Sequence, residues 1–169
     1  GLKFASVMGF KESTHGNGPA GPSQDADRDI VLLGCFREGR ALLGVIAREA
    51  AHLKNRILVV DYSPAIRHEL ARGGYKWVYG DLAHPQTLHH LGVEKASIII
   101  CSISDTFLKG ITNRKLLSHL KHIAPNARVV MTADDPVEAD KLLHAGAHQA
   151  VIPSALTAAH LFQILHPAL

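Results

Sequence analysis

Between Arg28 and Asp61 the chain reads RDIVLLGCFREGRALLGVIAREAAHLKNRILVVD, and that order of residues leaves few ways to fold. A short apolar run, Ile30 to Leu33, reaches a glycine at Gly34. From about Gly39, apolar residues recur at Leu42, Leu43, Ile46 and Ala50, the spacing of one buried helix face. A second apolar run, Ile57 to Val60, stops at an acid, Asp61. Strand, glycine turn, helix, strand and acid make the first half of a dinucleotide-binding βαβ unit, in which the acid bonds a ribose hydroxyl. The fingerprint asks for glycine at three points of the turn. Gly34 and Gly39 hold the first and third, and Phe36 holds the second.

The same alternation continues to the end of the chain. Pro64 to Arg72 reads as a short helix with Ser63 as N-cap and Gly73-Gly74 as its stop. Lys76 to Tyr79 reads as a strand, and Pro85 to Leu91 as a helix closed by Gly92. Ala96 to Cys101, with three consecutive isoleucines, is apolar on both faces, as a strand in the middle of a covered parallel sheet should be. Helix Thr112 to His122, strand Arg128 to Met131, helix Pro136 to Ala145, strand Gln149 to Ile152 and helix Ala155 to Leu165 follow. Six strands alternating with helices predict a single α/β domain, a Rossmann-like doubly wound parallel sheet in the order 3-2-1-4-5-6.

A chain of 169 residues, 47% hydrophobic and 20% charged, suits one domain with a sizeable core. It is too short for a nucleotide domain plus a full catalytic domain. Residues 1–27 are rich in Gly, Pro and small polar residues and read as a flexible linker or the end of a preceding segment. Residues 28–153 form the nucleotide-binding domain, and 154–169 a carboxy-terminal helix. The net charge of +3 has no dense basic block, which argues against nucleic acid. No apolar run approaches the ~20 residues that span a bilayer. Two cysteines make neither a disulfide framework nor a four-ligand zinc site, as suits a reducing cytosolic setting.

Ligand chemistry in such a sheet gathers at the carboxyl ends of the strands. There lie Gly34, Cys35, Phe36, Arg37 and Gly39 after strand one, Asp61 and Tyr62 after strand two, Gly80, Asp81 and Leu82 after strand three, and Ser102, Ile103 and Ser104 after strand four. A phosphate would sit at the turn of Gly34, where helix N–H groups favour an anion. Asp61 would accept from the ribose and Asp81 from an exocyclic amine of the base. Other groupings have plainer readings. The twelve histidines are scattered, and His89 with His90, or His119 with His122, lacks a third metal ligand. Cys35 and Cys101 lie at neighbouring strand ends, where they either approach as a redox pair or pack independently. Asp134 and Asp135 precede Pro136 and a helix, so capping accounts for them better than acid/base chemistry.

These residues also carry a family resemblance. The turn GCFREG at 34–39, VVDYSP at 59–64, YGDLAHPQTL at 79–88, IIICSISD at 98–105, LKGITNRKLLSHLKHIAPNARVVMTADD at 108–135 and AGAHQAVIP at 145–153 resemble the KTN or TrkA-N domain, the RCK amino-terminal domain. It is found at the carboxy terminus of monovalent cation/proton antiporters and in potassium channel regulators. The resemblance implies a regulatory domain without catalysis, in the cytoplasm beneath an inner or plasma membrane, with its membrane-embedded transporter part preceding residue 1. It implies an adenine nucleotide ligand, with Asp61 on the ribose, Asp81 on adenine, Arg37 on phosphate and the Ser102 to Asp105 loop bordering the ligand. It also implies a homodimer in which the helix from Ala155 to Leu165 takes part.

Phe36 bears on which nucleotide is bound. A middle glycine lets the backbone approach a pyrophosphate, and a phenylalanine occupies that space, which favours AMP over NAD(H). Two other readings stay open. An NAD(P)-dependent oxidoreductase fits the strand pattern, though no Tyr-x-x-x-Lys pair or substrate domain follows the sixth strand. A structural dimerisation scaffold with a vestigial nucleotide site fits the blocked turn.

Overall fold

The structure is a computed structural model and describes residues 28–166. The linker expected at 1–27 and residues 167–169 lie outside the described residues. Six strands form one parallel sheet: β1 (Ile30–Leu33), β2 (Ile57–Asp61), β3 (Lys76–Tyr79), β4 (Ile98–Cys101), β5 (Arg128–Thr132) and β6 (Gln149–Val151). Their order is β3-β2-β1-β4-β5-β6, as the alternation predicts. β1 pairs Leu32 with Val59 on one side and with Ile100 on the other. The chain reverses direction of travel between β3 and β4, which opens the crevice at the carboxyl ends of β1 and β4.

Helices α1 (Arg37–Glu49), α2 (Arg67–Gly73), α3 (Pro85–His90), α4 (Asn113–Ile123), α5 (Pro136–His144) and α6 (Pro153–Leu165) connect or follow the strands. Side chains alternate between the two sheet faces along each strand. Leu33, Ile99, Cys101, Val129 and Met131 pack on one face with Leu88 of α3, Leu117 and Leu120 of α4 and Leu142 of α5. Leu32, Ile57 and Val59 pack on the other, under Leu43 of α1 and Leu70 of α2. Tyr75 closes that layer, its hydroxyl donating to Leu43 O at 2.6 Å.

Several local expectations shift. α1 begins at Arg37, two residues before Gly39, directly after the non-helical Phe36. Pro64–Ile66 is a single 3-10 turn ahead of α2, and the Ser63 side chain caps nothing. Instead the Ser63 N–H donates to Asp61 Oδ1 at 2.7 Å. Gly74 does stop α2, in the left-handed conformation at φ 76°. The isoleucine strand is fully covered on one face and half covered on the other. Ile99 and Cys101 are buried while Ile98 and Ile100 are half-buried, since α1 and α2 lie over the β1–β3 half of the sheet. α6 does not complete that layer: Ser154 to His166 are all exposed.

Candidate functional site

Two glycines make the turn after β1 possible. Gly34 has φ +79°, and a Cβ there would lie 1.9 Å from Ile103 Cγ1. At Gly39 a Cβ would meet Gly34 O and Ser102 Oγ, each at 2.8 Å. The turn is tied to its neighbours by polar groups as well. Ser102 Oγ donates to Gly34 O at 2.7 Å, joining the exits of β1 and β4. The Cys35 N–H donates to Asp61 Oδ2 at 2.7 Å, joining the exits of β1 and β2. Asp61 is nearly buried, and each carboxylate oxygen accepts one backbone N–H, from Cys35 or Ser63. A carboxylate oxygen has two lone pairs, so each keeps one further acceptor site.

Phe36, Arg37, Ser102, Ile103 and Ser104 line one cleft of about 150 Å³, together with Phe107, Thr132, Asp134 and the first residues of α6, Pro153 and Ser154. Arg37 is exposed there and pairs with Glu38 at 3.4 Å. Tyr62, Gly80 and Asp81 lie apart from this cleft on the β2–β3 side. Tyr62 is exposed, and Asp81 accepts from the Ala83 N–H at 2.9 Å with His84 Nδ1 3.1 Å from its other oxygen. Gly80 donates to Asp61 O at 3.1 Å. The side chains of Cys35, Leu82 and Ile103 are buried in the core layers, so of Cys35 and Leu82 a ligand would meet only the backbone.

The cysteines do not pair. Cys35 packs with Leu32 and Leu43 on one side of the sheet, and Cys101 with Ile99 and Met131 on the other; both are free thiols. Burial, with Asp61 beside it, pushes the Cys35 thiol up to about 11, and burial pushes Cys101 up to about 12. Neither is a ready thiolate. Asp135 caps α5, accepting from the Glu138 N–H at 2.8 Å, while Glu138 Oε2 accepts from the Asp134 N–H at 2.7 Å. Among the described residues no three His, Cys, Asp or Glu side chains come together as metal ligands.

Sequence reasoning missed three residues, Asn113, Thr132 and Phe107, and read a fourth, Asp134, as a cap, a role that Asp135 alone fills. Asn113, wholly buried at the start of α4, donates to Ile103 O at 3.0 Å and accepts from Cys101 Sγ at 3.6 Å. Its own N–H bonds Asp105 Oδ1, so one side chain and one amide fix the whole loop after β4. The signal was present: Asn113 falls on the stripe of Leu116, Leu117 and Leu120, and a polar residue on an apolar stripe must find partners inside. Asp134 accepts from Ser104 Oγ at 2.7 Å, which ties the same loop to β5. Thr132 Oγ1 is buried beside the cleft with no hydrogen-bond partner. Phe107 packs its ring against Phe36, the centroids 5.5 Å apart and the planes tilted by 53°. Nothing in the sequence pattern announces that last contact.

Residues 30–153 match the TrkA-N domain. The chain belongs to the TrkA-N family. Among curated proteins, the glutathione-regulated potassium-efflux system protein KefC of Enterobacter sp. (strain 638) is 30% identical over 135 residues, which cover 75% of this chain and 20% of that protein. The TrkA-N chain therefore spans about a fifth of that relative. The TrkA-N domain of the inner membrane protein ybaL from Escherichia coli superposes with a TM-score of 0.70 at 20% identity, over 83% of this chain and 98% of that one. The GsuK structure bound to ADP superposes with a TM-score of 0.59 at 27% identity, over 76% of this chain and 32% of that one. No helix among the described residues of this TrkA-N domain is long and apolar enough to cross a membrane.

Proposed function

We propose that this TrkA-N domain is a cytoplasmic regulatory domain of a monovalent cation/proton antiporter or potassium transport system, sensing an adenine nucleotide, AMP above all, and gating transport through a dimer. One observation carries the ligand reading. Asp61 is pinned by the Cys35 and Ser63 N–H groups at the exit of β2 and retains two acceptor sites, the number that the two hydroxyls of a ribose require. Asp81, half-exposed at the exit of β3, is the acceptor for the adenine amine, and Arg37 with the amino end of α1 is the seat of the phosphate. The domain performs no chemistry of its own. Its effect on a membrane-embedded partner, in the same chain before residue 1, follows from different affinities of the ligand for two dimer arrangements.

The partner for α6 is a second copy of this chain. Leu156, Leu161, Phe162, Ile164 and Leu165 are each more than half exposed, and Ile98, Ile100 and Val130 form a half-covered apolar strip on the sheet face beside α1. Exposed apolar surface of that extent marks an interface.

Calorimetric titration with AMP, ADP, ATP, NAD and NADH tests the ligand reading, with Asp81→Ala as the variant of choice because its carboxylate supports only a local turn. AMP should bind the wild type, and Asp81→Ala should weaken it about tenfold, the loss of one charge-assisted hydrogen bond, with the melting temperature lowered only slightly by the loss of the local turn. No uptake of any nucleotide at millimolar concentration would sink the sensor reading and leave a dimerisation scaffold.

A further inference from the structure

The fingerprint glycine that Phe36 replaces is one that a dinucleotide ligand requires. Phe36 has φ −93° and ψ −131°. A glycine there lets a pyrophosphate lie close over the turn. Phe36 does not fold its ring away from that space. It remains half-exposed and meets Phe107, itself half-exposed, from the short turn Asp105–Phe107 after β4. Their contact spans from the amino end of α1 to the loop after β4, across the line a dinucleotide would follow from the β2 side to the β5 side. What is left beneath, between Ser102, Thr132 and Pro153, is the cleft of about 150 Å³. Ligand pockets commonly measure ~300–1,000 Å³, so this half of the crevice is smaller than a site for a second nucleoside usually is.

We infer that Phe36 and Phe107 together set the size of the ligand: a bridge of two rings shuts the β4–β5 half of the crevice, and the site takes one nucleoside with its phosphate. This rests on the nucleotide reading above and adds to it a second specificity residue, Phe107. Its position is firm for a loop residue, because Asp105 holds the amide of Asn113 and Ser104 bonds Asp134. Since the rings touch, removing one leaves the other in the passage. The two substitutions should therefore be strongly non-additive.

The experiment is calorimetry with AMP and with NAD on the wild type, Phe36→Gly, Phe107→Ala and the double variant. Both side chains are half-exposed, so the variants should fold, and a thermal melt verifies this. The wild type should prefer AMP over NAD by tenfold or more, an order-of-magnitude figure for one blocked passage, and the double variant should bring the ratio to within about threefold by a gain in NAD affinity. Each single variant should move the ratio less than half as far on a logarithmic scale. A double variant that still rejects NAD while binding AMP overturns the inference. So does a Phe36→Gly variant that alone admits NAD in full, since Phe107 would then be a bystander. A wild type that binds neither nucleotide removes the sensor reading alone. The bridge then stands if the double variant acquires NAD binding and falls if it does not.

Discussion

A methyl group on residue 34 would need a φ near +79°, which L-residues avoid, and would overlap Ile103 Cγ1 at 1.9 Å. Gly34→Ala should accordingly cost about 2–4 kcal/mol in urea unfolding, the sum of a left-handed backbone penalty and a displaced core side chain. An unchanged midpoint would mean that the turn after β1 has a second conformation. At this scale the sequence spoke unevenly. Gly34, Gly39 and Asp61 were readable because a turn, a close packing and a strand-end acid each demand one kind of residue. Phe107 and Thr132 were not, because their importance comes from what the loop after β4 lies against. Asn113 stands between these cases, visible only to a reading that asks where a polar group on an apolar stripe will find partners.

Among the elements, periodicity located all six strands and all six helices, with ends displaced by a few residues wherever a 3-10 turn or a cap intervened. Coverage was harder to foresee. Three isoleucines in a row promised a strand buried on both sides, yet Ile98 and Ile100 are half-open, and α6, exposed from Ser154 onward, does not cover them. Sequence reports that a helix is apolar and not which molecule it packs against. If a second copy supplies the cover, Leu161→Asp with Phe162→Asp should turn a dimer into a monomer in sedimentation velocity while the circular dichroism spectrum stays that of the wild type. A wild type that sediments as a monomer would remove the dimer from the proposal. A stable dimer in the double variant would place the interface elsewhere.

For the whole molecule, the two ends of the sheet are held differently. At the amino ends of the strands, Asp29 accepts from Arg56 Nη2 at 2.6 Å and from Ser97 Oγ at 2.6 Å, binding the starts of β1, β2 and β4 together. Hydrogen bonds from Arg56 first, then Ser97, lower Asp29 from 3.8 to about 2. A carboxylate with a depressed folded value contributes stability above its unfolded value and loses it as pH falls through the folded one. Urea midpoints should therefore fall between about pH 5 and pH 2, and Asp29→Asn should flatten that part of the profile; a profile of unaltered steepness would assign the acid sensitivity to other carboxylates. The opposite ends carry the crevice, and α6 starts in its wall at Pro153 and Ser154. From there its thirteen residues reach about 20 Å at 1.5 Å per residue, so the helix is a lever with its fulcrum at the rim of the crevice. A tilt of about 5° at that fulcrum, small enough to pass for side-chain adjustment, carries the apolar tip about 2 Å, comparable to the helix shifts that re-set subunit interfaces.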